Sequence, residues 1–270
     1  MHPELFRLGP LVINSYGLML ALAFVFGLWI SNYKAAQRKI DPNEMTNLAF
    51  IVMVSSIVGA RLLYVVFHLD EFRGRWIYTF LPIQEDGTIG LGGLILLGGV
   101  LGGFLAGSIY VMKKRLPYWK IADSVAPALA FGIFLGRIGC FLNGCCFGKA
   151  CDLPWAVTFP PHSPAGYVMG NIPIHPTQLY ASLYGLAIFG VLMYLDRKPR
   201  YDGFIFGVFL ILYGIARFTV DFFRYYESQM FLFAGLGFNQ LVSLLMLITG
   251  IVIIWKRRQV APASPERGRE

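Results

Sequence analysis

The chain has 270 residues, 56% of them hydrophobic and only 14% charged, whereas a soluble domain of this length carries about 25% charged residues. With a mean hydropathy of +0.60, that composition excludes an ordinary soluble fold. The formal charge of +8 does not indicate a nucleic-acid binder, because the lysines and arginines fall in short clusters between apolar runs, as in a polytopic membrane protein.

A bilayer core about 30 Å thick needs about 20 mostly apolar residues per helix. Seven stretches qualify: residues 11–33, 48–68, 87–112, 121–142, 177–195, 203–223 and 231–255. The expected fold is therefore an all-α polytopic bundle, with residues 1–260 as a single domain and 261–270 as a disordered cytoplasmic tail. Residues 1–10 carry Glu4 and Arg7, and no small-residue cleavage site follows, so the first helix is expected to remain as an uncleaved anchor. Basic residues follow the first span (Lys34, Arg38, Lys39), the third (Lys113, Lys114, Arg115, Lys120), the fifth (Arg197, Lys198, Arg200) and the seventh (Lys256, Arg257, Arg258). The alternate loops, with Arg7, Arg73, Arg75 and Lys149, carry fewer basic residues over more sequence, which predicts an external N-terminus and a cytoplasmic C-terminus.

Polar residues inside the spans fall on faces. In the second span Arg61, Tyr64 and His68 are spaced for one side of a helix. The third span repeats glycine at Gly99, Gly103 and Gly107, beside Gly98 and Gly102, a spacing that lets two membrane helices approach closely. The fourth ends in Gly136–Gly148, which sets Arg137 and Asn143 among glycines and three of the four cysteines. An intramembrane cation costs a few kcal/mol or more, so Arg137 marks a candidate site. Cys140, Cys145, Cys146 and Cys151 match no zinc-knuckle spacing. They are expected to be structural, free or bridged, and no metal or cofactor is predicted.

Residues 143–176 form a long outward-facing insertion whose Trp155, Phe159 and Tyr167 suit the headgroup layer. His175 precedes Pro176 at the entry to the fifth span, placing it with Gln178 and Tyr180 at the membrane boundary. The sixth span carries Tyr213, Arg217, Asp221 and Arg224 at offsets that share a helical face. Two readings follow: an Arg217–Asp221 ion pair, or an anion site facing the bundle interior. Guanidinium forks on several helices suit phosphate oxygens, and at that depth the natural anion is a phospholipid headgroup.

Taken in order, Ser15–Met19, Gly59–Tyr64, the Gly-Gly run of the third span, Gly136–Gly148, His175–Tyr180 and Tyr213–Arg217 resemble the bacterial prolipoprotein diacylglyceryl transferases over nearly the whole chain. The resemblance implies an enzyme of the bacterial inner membrane. It would transfer the diacylglyceryl group of phosphatidylglycerol to the lipobox cysteine of a preprolipoprotein, with membrane lipids around it. It assigns Arg137 and Arg217 to the headgroup phosphate, with Tyr213 and His175 as further catalytic candidates. Tyr16, Asn143 and Gly148 would line the pocket, joined by Tyr64, Gly98 and Gly99, with Arg61 and Arg224 farther out. Three departures from the family pattern bear on the chemistry. Leu97 stands where many members have histidine, Cys140 and Cys145 replace an Asn and a Glu, and Ala181 stands where a Glu is usual. Proton removal is then open among His68, His175, Tyr213 and unaided ionisation of the thiol near the arginines, and a relative that binds anionic phospholipid without transferring it is the alternative. A transporter of anionic solutes would instead need a polar path to the cytoplasmic face.

Overall fold

The structure is a computed structural model that describes residues 4–8, 11–72, 93–198, 200–226, 231–233 and 236–260. Its order is β1 (Glu4–Leu8), β2 (Leu11–Asn14), α1 (Ser15–Gln37), α2 (Pro42–Phe67), α3 (Leu69–Phe72), α4 (Leu96–Lys113), α5 (Tyr118–Asn143), α6 (Pro164–Met169), α7 (Thr177–Leu195), α8 (Phe204–Asp221), β3 (Phe231–Phe233), β4 (Leu236–Gly237) and α9 (Phe238–Val260). Seven of the helices are long and apolar enough to cross a membrane. Each predicted span overlaps one of them, with ends that differ by up to nine residues. The first starts late because Leu11–Asn14 pairs with Glu4–Leu8 as a hairpin. The seventh does so because Phe231–Phe233 pairs with Leu236–Gly237. Residues 87–92 of the expected third span, and the expected tail at 261–270, lie outside the described residues.

The chain divides into two compact units, one built from Ser15–Ser31 and the chain after Ala122, the other from Glu4–Asn14 and Asn32–Ile121. In the second unit α2 and α4 lie backbone to backbone. A Cβ on Gly98 would come 2.3 Å from the Gly59 carbonyl oxygen, one on Gly102 2.6 Å from that of Ser55, and one on Gly103 2.3 Å from Ser56 Oγ. Only glycine fits such contacts, so the repeat is a packing face. At the end of this pair Lys114 Nζ lies 3.2 Å from Glu44 Oε1.

In the first unit Ala126 and Ala130 of α5, Ile188 and Leu192 of α7, and Ile205, Phe209 and Leu210 of α8 form one buried cluster. Small residues again set the distance, since a Cβ on Gly185 of α7 would meet the Phe134 backbone nitrogen of α5 at 2.9 Å. The start of α8 is fixed by α5. Gly203 holds φ 94°, and the buried Asp123 carboxylate accepts the N–H groups of Gly203 (2.7 Å) and Phe206 (2.9 Å). A carboxylate there satisfies orphan donors and complements the helix dipole. With its first turn set this way and its flank packed on α7 and α9, α8 carries its polar residues to a fixed position at the other end.

Candidate active site

The site is built where α5 stops. After Asn143 the chain turns back: the Gly144 N–H donates to the Phe141 carbonyl (3.2 Å) and the Cys145 N–H to that of Cys140 (3.1 Å). Gly144 takes φ 73° and Cys146 φ 60°. For a non-glycine residue the left-handed region costs about 1–2 kcal/mol, and the first turn of α7 holds Cys146 there. Thr177 Oγ1 donates to the Cys146 carbonyl (3.0 Å) and Gln178 Nε2 to that of Cys145 (2.8 Å), and both side chains are buried. The turn brings the Sγ atoms of Cys140, Cys145 and Cys146 within 4.8 Å of one another. All four cysteines are free thiols. Thiol hydrogen bonds from Cys140 and Cys145, aided by the charges of Arg224 and Arg137, hold Cys146 below the usual thiol range.

The next residues tie three helix ends together. Gly148 donates to the His175 carbonyl (3.1 Å), His175 to that of Lys149 (2.9 Å), Lys149 to that of Phe223 (2.8 Å) and Tyr225 to that of Phe147 (3.1 Å). A Cβ on Gly148 would meet the His175 carbonyl oxygen at 2.5 Å and that of Phe223 at 2.8 Å, so this crossing requires glycine. It sets His175 beside Tyr180, with Nδ1 3.3 Å from the hydroxyl, and that hydroxyl accepts from Trp155 Nε1 at 2.7 Å. The insertion is ordered around this knot. Phe159 is buried with Phe147, Ala165 and Ile174, contrary to the expected headgroup position, while Trp155 and Tyr167 are exposed.

Three arginines act electrostatically on one tyrosine. Tyr184 of α7 has a buried hydroxyl with no hydrogen-bond partner. Its electrostatic neighbours are Tyr213, Arg137, Arg217 and Arg224, and its ring meets Tyr213 edge-on at 6.1 Å. Arg137 makes no ion pair among the described residues and has Cys140, Tyr184, Cys146 and Tyr213 as neighbours. Arg217 is buried, with Nη2 3.2 Å from Asp221 Oδ1 and donating to the Tyr226 hydroxyl at 3.4 Å. That hydroxyl donates in turn to Asp221 and accepts from Asn239 Nδ2 (2.9 Å). Arg224 packs its guanidinium over the Tyr226 ring at 5.3 Å, and its Nε is buried without a partner. One carboxylate against three guanidinium groups leaves a surplus of positive charge, with orphan donors beside it. A phosphate-sized anion would satisfy both.

Tyr16, in the first turn of α1, packs on α5 at Gly139, where a Cβ would come 3.2 Å from its ring, and it neighbours Cys140, Cys145, Cys146 and Arg137. Asn143 hydrogen-bonds the Cys145 thiol. Tyr16, Arg137, Asn143, Gly148, His175, Tyr213, Arg217 and Arg224 therefore all belong to the first unit. The Arg217–Asp221 ion pair weighed from the sequence is present and leaves Arg137 and Arg224 unpaired by it. Arg224 is not on the α8 face: the helix ends at Asp221, and Arg224 is placed by its backbone bridge to Gly148. Arg61, Tyr64, Gly98 and Gly99 belong to the second unit. There Arg61 stands over Tyr64 at 5.7 Å and donates to the Gly93 carbonyl at 3.3 Å, and Tyr64 stacks on His68 at 4.1 Å. Gly98 and Gly99 are buried against α2, where they pack backbone to backbone. Sequence reasoning missed Tyr184, whose one signal was its position a turn below Tyr180.

Residues 3–256 match the family described as prolipoprotein diacylglyceryl transferase. A phosphatidylglycerol–prolipoprotein diacylglyceryl transferase of Idiomarina loihiensis is 38% identical, over 98% of this chain and 96% of the relative. Proteins of the same name from Proteus mirabilis (34%, 98% and 96%) and Acaryochloris marina (36%, 93% and 88%) are similar over nearly the same span. With that coverage and the arginine-lined end of α5 in place, the chain belongs to the prolipoprotein diacylglyceryl transferase family.

Proposed function

We propose that this chain transfers the diacylglyceryl group of phosphatidylglycerol to the thiol of a lipobox cysteine, in a bacterial inner membrane, with its N-terminus outside and its C-terminus in the cytoplasm. The observation that carries the reading is the buried, unpartnered Tyr184 hydroxyl among Arg137, Arg217 and Arg224. In the reaction the acceptor thiol loses its proton and its sulfur attacks the glycerol carbon that bears the phosphate. The carbon–oxygen bond breaks, a thioether forms, and glycerol phosphate leaves with one more negative charge than the diester carried. Fixed guanidinium groups act most strongly where that charge develops. In this scheme Asp221 and Tyr226 hold the orientation of Arg217, and Arg137 is the second cation for the phosphate. Tyr16 and Asn143 line the thiol side, and Tyr213 keeps the Tyr184 ring in place.

The test supplies the purified protein with phosphatidylglycerol and a lipobox peptide. The expected result is a diacylglyceryl mass increase on the peptide and stoichiometric glycerol phosphate, both lost in Arg137→Ala. Phospholipid binding without glycerol phosphate release, where a relative with histidine at the Leu97 position turns over, refutes transfer.

A further inference from the structure

Beside the arginines lie the three thiols of Cys140, Cys145 and Cys146. Two neighbouring cysteines in sequence are a poor metal motif, yet the left-handed backbone at Cys146 turns its side chain to the same side as those of Cys140 and Cys145. Thiolates bound at about 2.3 Å to one tetrahedral ion lie about 3.8 Å apart. The observed Sγ atoms, all within 4.8 Å, need only small rotations to reach that spacing. The backbone is already fixed, by Thr177 and Gln178 on the carbonyls of Cys146 and Cys145 and by the helix-end hydrogen bonds. The charge also suits: three thiolates around a divalent ion carry a net negative charge, and Arg224 and Arg137 are the nearby cations.

We infer that Cys140, Cys145 and Cys146 form a binding site for a thiophilic divalent ion of the zinc class, with three protein ligands and an open fourth position that takes the acceptor thiol. The second half of that inference rests on the transferase reading. A thiol coordinated to such an ion is deprotonated outright, its proton passing to water, and the sulfur then displaces the phosphate as described. This supplies the activation that Leu97, which cannot accept a proton, does not. Cys151 lies outside the cluster and takes no part.

The experiment uses the full chain in detergent, reduced and stripped by a chelator, then titrated with Cd2+. A thiolate-to-cadmium absorption that saturates at one ion per chain is expected. It is lost in Cys140→Ser, Cys145→Ser and Cys146→Ser and kept in Cys151→Ser. Alkylation of the unmutated protein, read by mass spectrometry, provides a measurement that no folding defect can confuse. Zn2+ should protect these three cysteines and leave Cys151 reactive. No thiolate band, a band that survives in all three variants, equal protection of all four thiols, or a disulfide within the trio of the freshly isolated protein overturns the site. The open position is tested with the Co2+ form, whose visible bands should shift with a lipobox peptide and not with its Cys→Ser version. Unchanged bands refute the thiol role while leaving metal binding standing. Metal binding in a chain that releases no glycerol phosphate refutes the transferase reading instead.

Discussion

Replacing Tyr184 by phenylalanine separates a ligand-binding hydroxyl from a structural one. In the unliganded protein this hydroxyl is buried without a partner, and an unsatisfied buried polar group costs about 1–3 kcal/mol. Phenylalanine removes that cost and keeps the ring contact with Tyr213 at 6.1 Å, so the lipid-free variant should unfold at the same temperature or higher. Activity should move the other way. A hydrogen bond to a charged group contributes about 1.5–3 kcal/mol, so kcat/KM for phosphatidylglycerol should fall about 10- to 150-fold. Because the leaving phosphate gains a charge, most of the loss should sit in kcat instead of KM. The assay measures initial rates of peptide lipidation across lipid concentrations at saturating peptide, alongside thermal unfolding of both proteins. Wild-type kcat/KM, or a lowered unfolding temperature that tracks the activity loss, would refute the assignment.

Asp221→Leu leaves Arg217 buried without its carboxylate, which costs about 3–5 kcal/mol and should appear as a large drop in unfolding temperature. Adding Arg217→Met should restore stability and leave lipidation lost, and restored lipidation would exclude Arg217 from phosphate binding. Gly148→Ala pushes a methyl into the carbonyl oxygens of His175 and Phe223, at a cost of about 1–3 kcal/mol for overpacking. It should reduce lipidation more than Gly132→Ala, where a Cβ meets nothing within 4 Å. Burial, with the hydrogen bond to Asp221, raises Tyr226 above its ordinary value of 10.0. The unfolded chain then ionises this phenol first, so stability is flat below pH about 10 and declines above it. Tyr226→Phe should remove that part of the alkaline decline in unfolding temperature.

The spans were legible because twenty apolar residues have few other uses, but their ends were not. Leu11–Asn14 and Phe231–Phe233 are as apolar as the helices they precede, and only pairing with a second strand tells them apart. Helical spacing placed Tyr213, Arg217 and Asp221 correctly and misjudged Arg224, because the pattern does not say that α8 stops at Asp221. Tyr184 gave no signal beyond its place one turn from Tyr180, since one tyrosine among apolar neighbours looks like packing until its hydroxyl proves unpartnered. The cysteines were read by spacing, which contains no information about a φ of 60° at Cys146.

The glycine-rich stretch at the end of α5 resolves into separate demands. Gly139 admits Tyr16, Gly144 makes the left-handed turn, and Gly148 lets two backbones cross it. Arg137 and Cys140 are three residues apart on α5 and so share a face. In the proposed reaction the phosphate-binding charge and one member of the thiol cluster are thus carried by one helical turn, and displacement requires a sulfur nucleophile on one side of the glycerol carbon and a cation on the departing oxygen at the other. A single turn fixes that distance more tightly than two helices could, because helices in a membrane are held by packing at glycine contacts and their separation relaxes when one is filled. Lengthening the turn by one alanine between Arg137 and Ile138 would rotate the arginine by about 100° away from the thiols. It should abolish lipidation while the protein still inserts, and full activity in that variant would show that the two groups act independently.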